Sequence, residues 1–226
     1  MNRISKMAMF LIALVTMFSL AEAKVVTKTT KPDTKANKTK EGTTYGARAG
    51  FSLYSYSSGD SDYDKYVDMG YGFGVALVIN IPINSSISFV PEPGFLYRKP
   101  MVVNISQTIP MVGSYKMEMY MTEFALSVPA MLQFTPVENL PFYLAAGVQL
   151  DIPIASEMTM TVGGKTETAK TDGRRAVDFG IPLGAGYFVT PSIGVDFRAV
   201  IGVTSPSKDG DKDGWNQYGL GLTYLF

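Results

Sequence analysis

The chain has 226 residues, with no cysteine and no histidine, and its 20 basic and 20 acidic side chains cancel. Without cysteine there is no disulfide, no thiolate metal site and no lipidated cysteine at a processing point; without histidine the usual general base and the commonest metal ligand are missing. The neutral total hides an asymmetry, because residues 24–41 carry a net charge of +4 and residues 42–226 a net charge of −5.

Arg3 and Lys6 precede an apolar run from Met7 to Leu20, and Ala21-Glu22-Ala23 follows as a small-x-small sequence. That order of charge, apolar run and cleavage site predicts a secretory signal peptide over residues 1–23. Elsewhere no segment reaches the ~18 uninterrupted apolar residues of a spanning helix. Residues 24–42 hold six lysines, several threonines and Pro32, with Val25 and Val26 as the large apolar side chains. Such a stretch buries too little surface to offset the entropy of ordering, so it is expected to be a basic flexible linker, periplasmic after cleavage. Contact with an anionic polymer or membrane surface is a second reading of the same lysines.

From residue 43 to 226 the apolar pattern has period two, which predicts strands. Eight are expected, near 45–55, 70–81, 87–98, 115–134, 142–154, 176–189, 192–204 and 215–226. In the second, Tyr71, Phe73, Val75, Leu77, Ile79 and Ile81 alternate with small or polar residues. The sixth and seventh repeat the pattern through Phe179, Ile181 and Leu183, then through Val195, Phe197 and Ile201. The last places Tyr218, Leu220, Leu222, Tyr224 and Phe226 on one face, against Gln217, Gly219, Gly221 and Thr223. Water is a poor neighbour for such faces, whereas lipid requires them.

The connections sort by parity. Short turns are expected at Pro82–Ser86, Thr135–Pro141 and Thr190-Pro191, and long polar loops at 56–69, 99–114, 155–175 and 205–214. Alternation of short and long connections is the signature of an eight-stranded antiparallel up-and-down transmembrane β-barrel of the OmpA/OmpX size class. With the apolar rows outside, Arg48, Glu92, Arg98, Glu123, Asp151, Asp178, Asp196 and Arg198 fall inside. On a lipid face the arginines would cost roughly 2–4 kcal/mol each near mid-membrane. A barrel this narrow has room for little beyond side chains, so these charges are expected to pair as a polar plug; a proton or ion path is the competing reading. Pro129, Pro153 and Pro182 also face inward and predict local bulges, and inward glycines leave room for the arginines and aromatics opposite.

Thr122-Glu-Phe-Ala-Leu-Ser-Val-Pro-Ala-Met-Leu-Gln-Phe134 resembles the E-(I/V)-P-(L/A)-L strand of PorT-like outer-membrane β-barrel proteins of the Bacteroidetes–Fibrobacteres type. Val177-Asp-Phe-Gly-Ile-Pro-Leu-Gly-Ala-Gly-Tyr187 is similar to that family's D-F-G-x-x-x-G-A-G strand, Val195–Arg198 with Gly202 to its next strand, and Gly219–Phe226 to its last. In the family the acid sits closer to the proline than Glu123 does to Pro129. The resemblance implies an outer-membrane barrel, with some members tied to protein secretion, and carries over no catalytic residue.

Three further features invite chemistry. Asp209–Gly214 matches the first half of a calcium loop, but Leu220 stands where the twelfth-position glutamate belongs, so a solvated turn is the expected reading. Met111, Met117, Met119 and Met121 with Tyr115 and Tyr120 suit either a partner surface or rim packing. The acidic and aromatic stretch 54–68, with Tyr54, Tyr56, Tyr63, Tyr66, Asp60, Asp62, Asp64 and Asp68, suits sugars, cations or simple solubility. Enzymatic chemistry is disfavoured without histidine, although Glu157 and Asp172 form a carboxylate pair in one expected loop. The expectation is therefore a non-enzymatic scaffold in the Gram-negative outer membrane that displays loops outside, with a small-solute or ion pore as the alternative. No cofactor and no nucleic acid is expected. The expected partners are outer-membrane lipid, the barrel-assembly machinery through the C-terminal strand, and a protein or glycan at the outer loops.

Overall fold

The computed structural model describes residues 42–57, 62, 64–109, 113–136, 141–171, 174–206 and 214–226. The expected signal segment, residues 24–41 of the basic tail, Asp60, Tyr63, Met111, Asp172 and Asp209–Asp213 lie outside the described residues.

Among the described residues there are ten strands: β1 (Thr44–Ser57), β2 (Val67–Pro82), β3 (Ile87–Pro91), β4 (Gly94–Ile109), β5 (Gly113–Phe134), β6 (Phe142–Val162), β7 (Lys165–Lys170), β8 (Asp178–Phe188), β9 (Ile193–Gly202) and β10 (Gly214–Leu225). All neighbours are antiparallel, and β1 pairs with β10 from Gly46↔Leu225 to Ser57↔Gly214, which closes the sheet on itself. The wall has eight positions rather than ten for two reasons. β3 and β4 together fill one position, since both lie between β2 and β5. β7 pairs with the far end of β6 and lengthens a hairpin.

The gap between β3 and β4 is Glu92-Pro93, which faces Val128-Pro129 on β5. Two prolines supply no ladder donors there, and the Glu92 amide, donating to the Pro129 carbonyl at 2.8 Å, bridges the gap. The pairs on either side, Pro91↔Ala130 and Gly94↔Ser127, stay in step. Pro182 also leaves the register intact, between Ala146↔Leu183 and Gln149↔Gly180. The bulge expected from inward prolines therefore occurs at Pro153 alone of the three, where Phe124↔Ala155 is followed by Ala125↔Pro153 and Ile154 is the extra residue. A missing N–H costs a ladder bond but demands no inserted residue.

The bulge beside Pro153 and a second irregularity between Arg98 and Val102 reverse which parity faces the lumen. Below them Arg98 and Asp151 point inward; above them Met101, Val103, Ser156 and Met158 do. Met119 and Met121 join that interior cluster, with Val67 and Tyr56, so these methionines pack the interior at the rim of the long connections.

Two expected loops are largely strand. β4 continues to Ile109 and β5 starts at Gly113, so much of 99–114 is hairpin. β6 runs to Val162 and turns through Gly163 and Gly164, both at positive φ (55° and 82°), into β7. Alternation of Thr159 and Thr161 with methionine already favours strand here. Cross-strand hydroxyl bonds of Thr159 with Thr168 (3.1 Å) and Thr161 with Thr166 (3.0 Å) tie the hairpin.

The outward rows are exposed as lipid-facing rows must be, with Val75 and Leu77 each at 60%. Along β2 that row runs from Ile81 to Tyr71. A rise of ~3.3 Å per residue and a tilt of about 40° make it about 25 Å tall, the height of an outer-membrane apolar band. Tyr45, Phe134, Tyr224 and Phe226 mark its lower edge, with the Tyr224 and Phe226 rings 5.9 Å apart.

Candidate functional site: the charged interior

Glycines on the wall create the room in which the interior is built. A side chain at Gly221 would overlap the Arg48 guanidinium, one at Gly186 the Tyr143 ring, and a Cβ at Gly184 would sit 3.1 Å from Arg198 Cγ. Each large inward residue thus lies across a position that carries no side chain.

The structure places all eight inward charges expected from the sequence on the lumen side, in two separate networks. In the lower network, Arg48 donates through Nε and Nη2 to Asp196 Oδ2 and Oδ1 at 3.0 and 2.7 Å. Arg198 donates through Nη1 and Nη2 to Glu92 Oε2 and Oε1 at 2.6 and 2.8 Å, and its Nε lies 2.8 Å from Asp196 Oδ1. Both arginines therefore hold a carboxylate with a two-pronged grip, the strong geometry for this pair.

In the upper network a single guanidinium serves three strands. Arg98 donates to Glu123 on β5 at 2.8 Å, to Asp151 on β6 at 3.0 Å and to Asp178 on β8 at 2.7 Å. It is 2% exposed and Glu123 and Asp151 are wholly buried. Gln149 adds donations of 3.1 Å to both oxygens of Asp151. Tyr54 and Trp215 flank the guanidinium, with ring centroids 5.9 and 5.7 Å from its carbon. Tyr54 is thus an interior residue, at 1% exposure, and is removed from the sugar- or cation-binding surface that its place in the acidic-aromatic stretch suggested.

Arg174 is a member of this network that sequence patterning misses. It lies between β7 and β8, outside any alternating row. Its guanidinium reaches down to Glu123 and Asp178, and it also donates to the Pro206 carbonyl at 2.7 Å. Arg175 beside it donates to the Ser205 carbonyl at 2.9 Å. A signal existed in the charge count, because three expected arginines faced five carboxylates in a space too dry to leave two unmatched. Arg48 and Arg198 engage Glu92 and Asp196, while Arg98 and Arg174 engage the other three acids.

Apolar clusters lie beyond each network, Met131, Tyr143, Ala145 and Phe188 at the short-turn end and the methionine cluster at the other. Between the networks is a cavity of about 60 Å³, bordered by Ser52, Gly74, Gln149 and Gln217, which is space for about two waters. Glu157, half of the expected carboxylate pair, stands on β6 opposite Lys170, facing away from the interior. Among the acidic-aromatic residues, Asp64 accepts from Ser57 at 2.6 Å and Asp68 from Asn104 at 2.8 Å.

A closed eight-stranded antiparallel wall, apolar outside and charged within, defines an integral β-barrel of the Gram-negative outer membrane. The chain belongs to the family described as outer membrane protein beta-barrel domain, which matches residues 34–207. Among solved structures it is similar to Neisserial surface protein A, at 16% identity and a TM-score of 0.47 over 82% of this chain and 100% of that one. It is similar also to Ail, the attachment invasion locus protein of Yersinia pestis, at 13% identity and 0.45 over 82% and 99%. A third is the outer membrane protein OprG of Pseudomonas aeruginosa, at 14% and 0.40 over 82% and 97%. No curated protein matches the sequence.

Proposed function

We propose that the protein is a closed scaffold whose outer hairpins do the binding, anchored by a barrel whose lumen is plugged. The observation that carries this reading is the interior sequence of layers: apolar cluster, ion-pair network, a cavity of about 60 Å³, ion-pair network, apolar cluster. A hydrated ion needs a continuous aqueous path, and small barrels filled by their own side chains leave none. The hairpins β4–β5 and β6–β7 stand beyond the apolar band on this rigid base, which is where binding residues usually sit. The resemblance of the β5, β8 and β9 sequences to PorT-like barrels supports a role as a component of an envelope or secretion assembly. In that reading a protein or glycan partner meets the outer hairpins, the N-terminal tail is periplasmic, and the C-terminal strand is read by the assembly machinery.

Two measurements test the proposal. Purified protein in planar bilayers is expected to give no stable conductance. Replacing the β6–β7 hairpin, residues 157–170, with a short Gly/Ser turn is expected to leave the barrel folded and to abolish partners recovered by cross-linking on intact cells. A reproducible conductance that responds to Glu123→Gln and ignores the hairpin exchange would favour the transport alternative instead.

Topology has its own test. A cysteine at Thr166, on exposed β7, is expected to react with an impermeant thiol reagent on intact cells. One at Asn84, in the β2–β3 turn, is expected to react after the outer membrane is opened. The reverse pattern would invert the barrel.

A further inference from the structure

Lys99 stands on the lipid side of the wall. It lies directly across the β2–β4 ladder from Tyr71, the upper end of the outward apolar row. Its ammonium is 4.2 Å from the centroid of the Tyr120 ring and 5.8 Å from that of Tyr71. Tyr120 in turn stands two outward positions above Phe124, where β5 passes from apolar to polar through Thr122. The ammonium is thus held between two tyrosines at the upper edge of the membrane band.

Lys116 pairs with Glu118 at 2.6 Å and Lys65 with Asp62 at 2.5 Å. Lys99, like Lys165 and Lys170 on the exposed β7, makes no ion pair among the described residues, but it stands on the wall and against two aromatic rings. Aromatic faces orient a cation but add no negative charge. A lysine at a membrane boundary therefore seeks an anion from the lipid itself, each such contact contributing about 1 kcal/mol.

We propose that Lys99, Tyr71 and Tyr120 form a binding site for the phosphate of a phosphorylated lipid in the outer leaflet. The ammonium supplies the charge. The rings fix its position and exclude water from one side, and each tyrosine carries a hydroxyl donor. The ligand is membrane-resident because the site opens on the lipid face and not on the lumen or the outer hairpins.

The test uses the full-length protein in detergent micelles, titrated with a bisphosphorylated glycolipid such as lipid A, with its dephosphorylated form and with inorganic phosphate, read by native mass spectrometry. The wild type is expected to hold the phosphorylated lipid about five- to tenfold more tightly than the dephosphorylated one. Lys99→Gln is expected to erase that preference, Lys99→Arg to keep it, and Lys170→Gln, on the outer hairpin, to leave it unchanged. Tyr120→Leu is expected to weaken it about threefold, and this variant decides the matter if Lys99→Gln fails to fold. Inorganic phosphate at millimolar concentration is expected not to compete. Equal binding of both lipids, an unchanged preference in the folded Lys99 or Tyr120 variants, or full competition by free phosphate would overturn the proposal.

Discussion

Arg98→Met is expected to destabilise the barrel by about 3–5 kcal/mol, the range for removing one partner from a buried ion-pair network. The reason lies in how many groups depend on that guanidinium. It donates to Glu123, Asp151 and Asp178 at once. Arg174 still reaches Glu123 and Asp178 in the variant, but Asp151 is left with the Gln149 amide alone. Asp151→Asn in the Arg98→Met background should therefore recover part of the loss, because the stranded charge is gone. Lys165→Met, on the exposed β7, is expected to stay within about 0.5 kcal/mol of the wild type. Denaturant midpoints in micelles or vesicles measure all three. Equal midpoints for Arg98→Met and Lys165→Met would mean that water reaches the upper network and replaces the lost donor.

Gly221→Val is the second large effect, expected to cost about 2–4 kcal/mol. Gly221 lies on β10, paired with Gly50 on β1 and with Asp196 on β9. The Arg48 side chain leaves β1 and crosses over this glycine to reach Asp196. Any side chain at 221 occupies the space of the guanidinium. The valine must either push Arg48 off its two-pronged contact or deform the β1–β10 seam. Gly214→Ala, at a position with nothing within 4 Å of an added Cβ, is the matched control and should be near neutral. Comparing heat-modified gel mobility and denaturant midpoints of the two variants separates loss of room from loss of glycine as such.

Much of this architecture is legible in the residues. Period-two rows such as Tyr71 to Ile81 and Phe179 to Leu183 reveal which side meets lipid, and the side of every inward charge follows from the same parity. Which arginine meets which acid is not legible, because partners lie up to 148 positions apart and periodicity says nothing across the lumen. The strands run past their expected ends at 99–109, where Lys99-Pro100 and Gln107-Thr108 interrupt the alternation of Val103 and Ile105 with Asn104 and Ser106, and at 155–162, where threonine and methionine alternate without the apolar contrast that marks a membrane strand. Arg174 escaped because it enters from a connection and obeys no alternation. Tyr54 reads as a loop aromatic because it ends the polar and small row of Arg48, Gly50 and Ser52, next to a run of acids and tyrosines.

The ion pairs also govern the order in which the wall can be put together. Arg98 on β4 is neutralised by side chains from β5, β6 and β8, Arg198 on β9 by Glu92 between β3 and β4, and Arg48 on β1 by Asp196 on β9. An open sheet of β1–β5 would carry Arg48 and Glu92 into the apolar phase without Asp196 and Arg198, and would leave Arg98 with Glu123 alone. Half-built intermediates are therefore penalised, and insertion should proceed as one concerted event with β9 and β10 among the last contacts made. The same cross-lumen wiring that stabilises the finished protein makes fragments of it poor candidates for independent insertion.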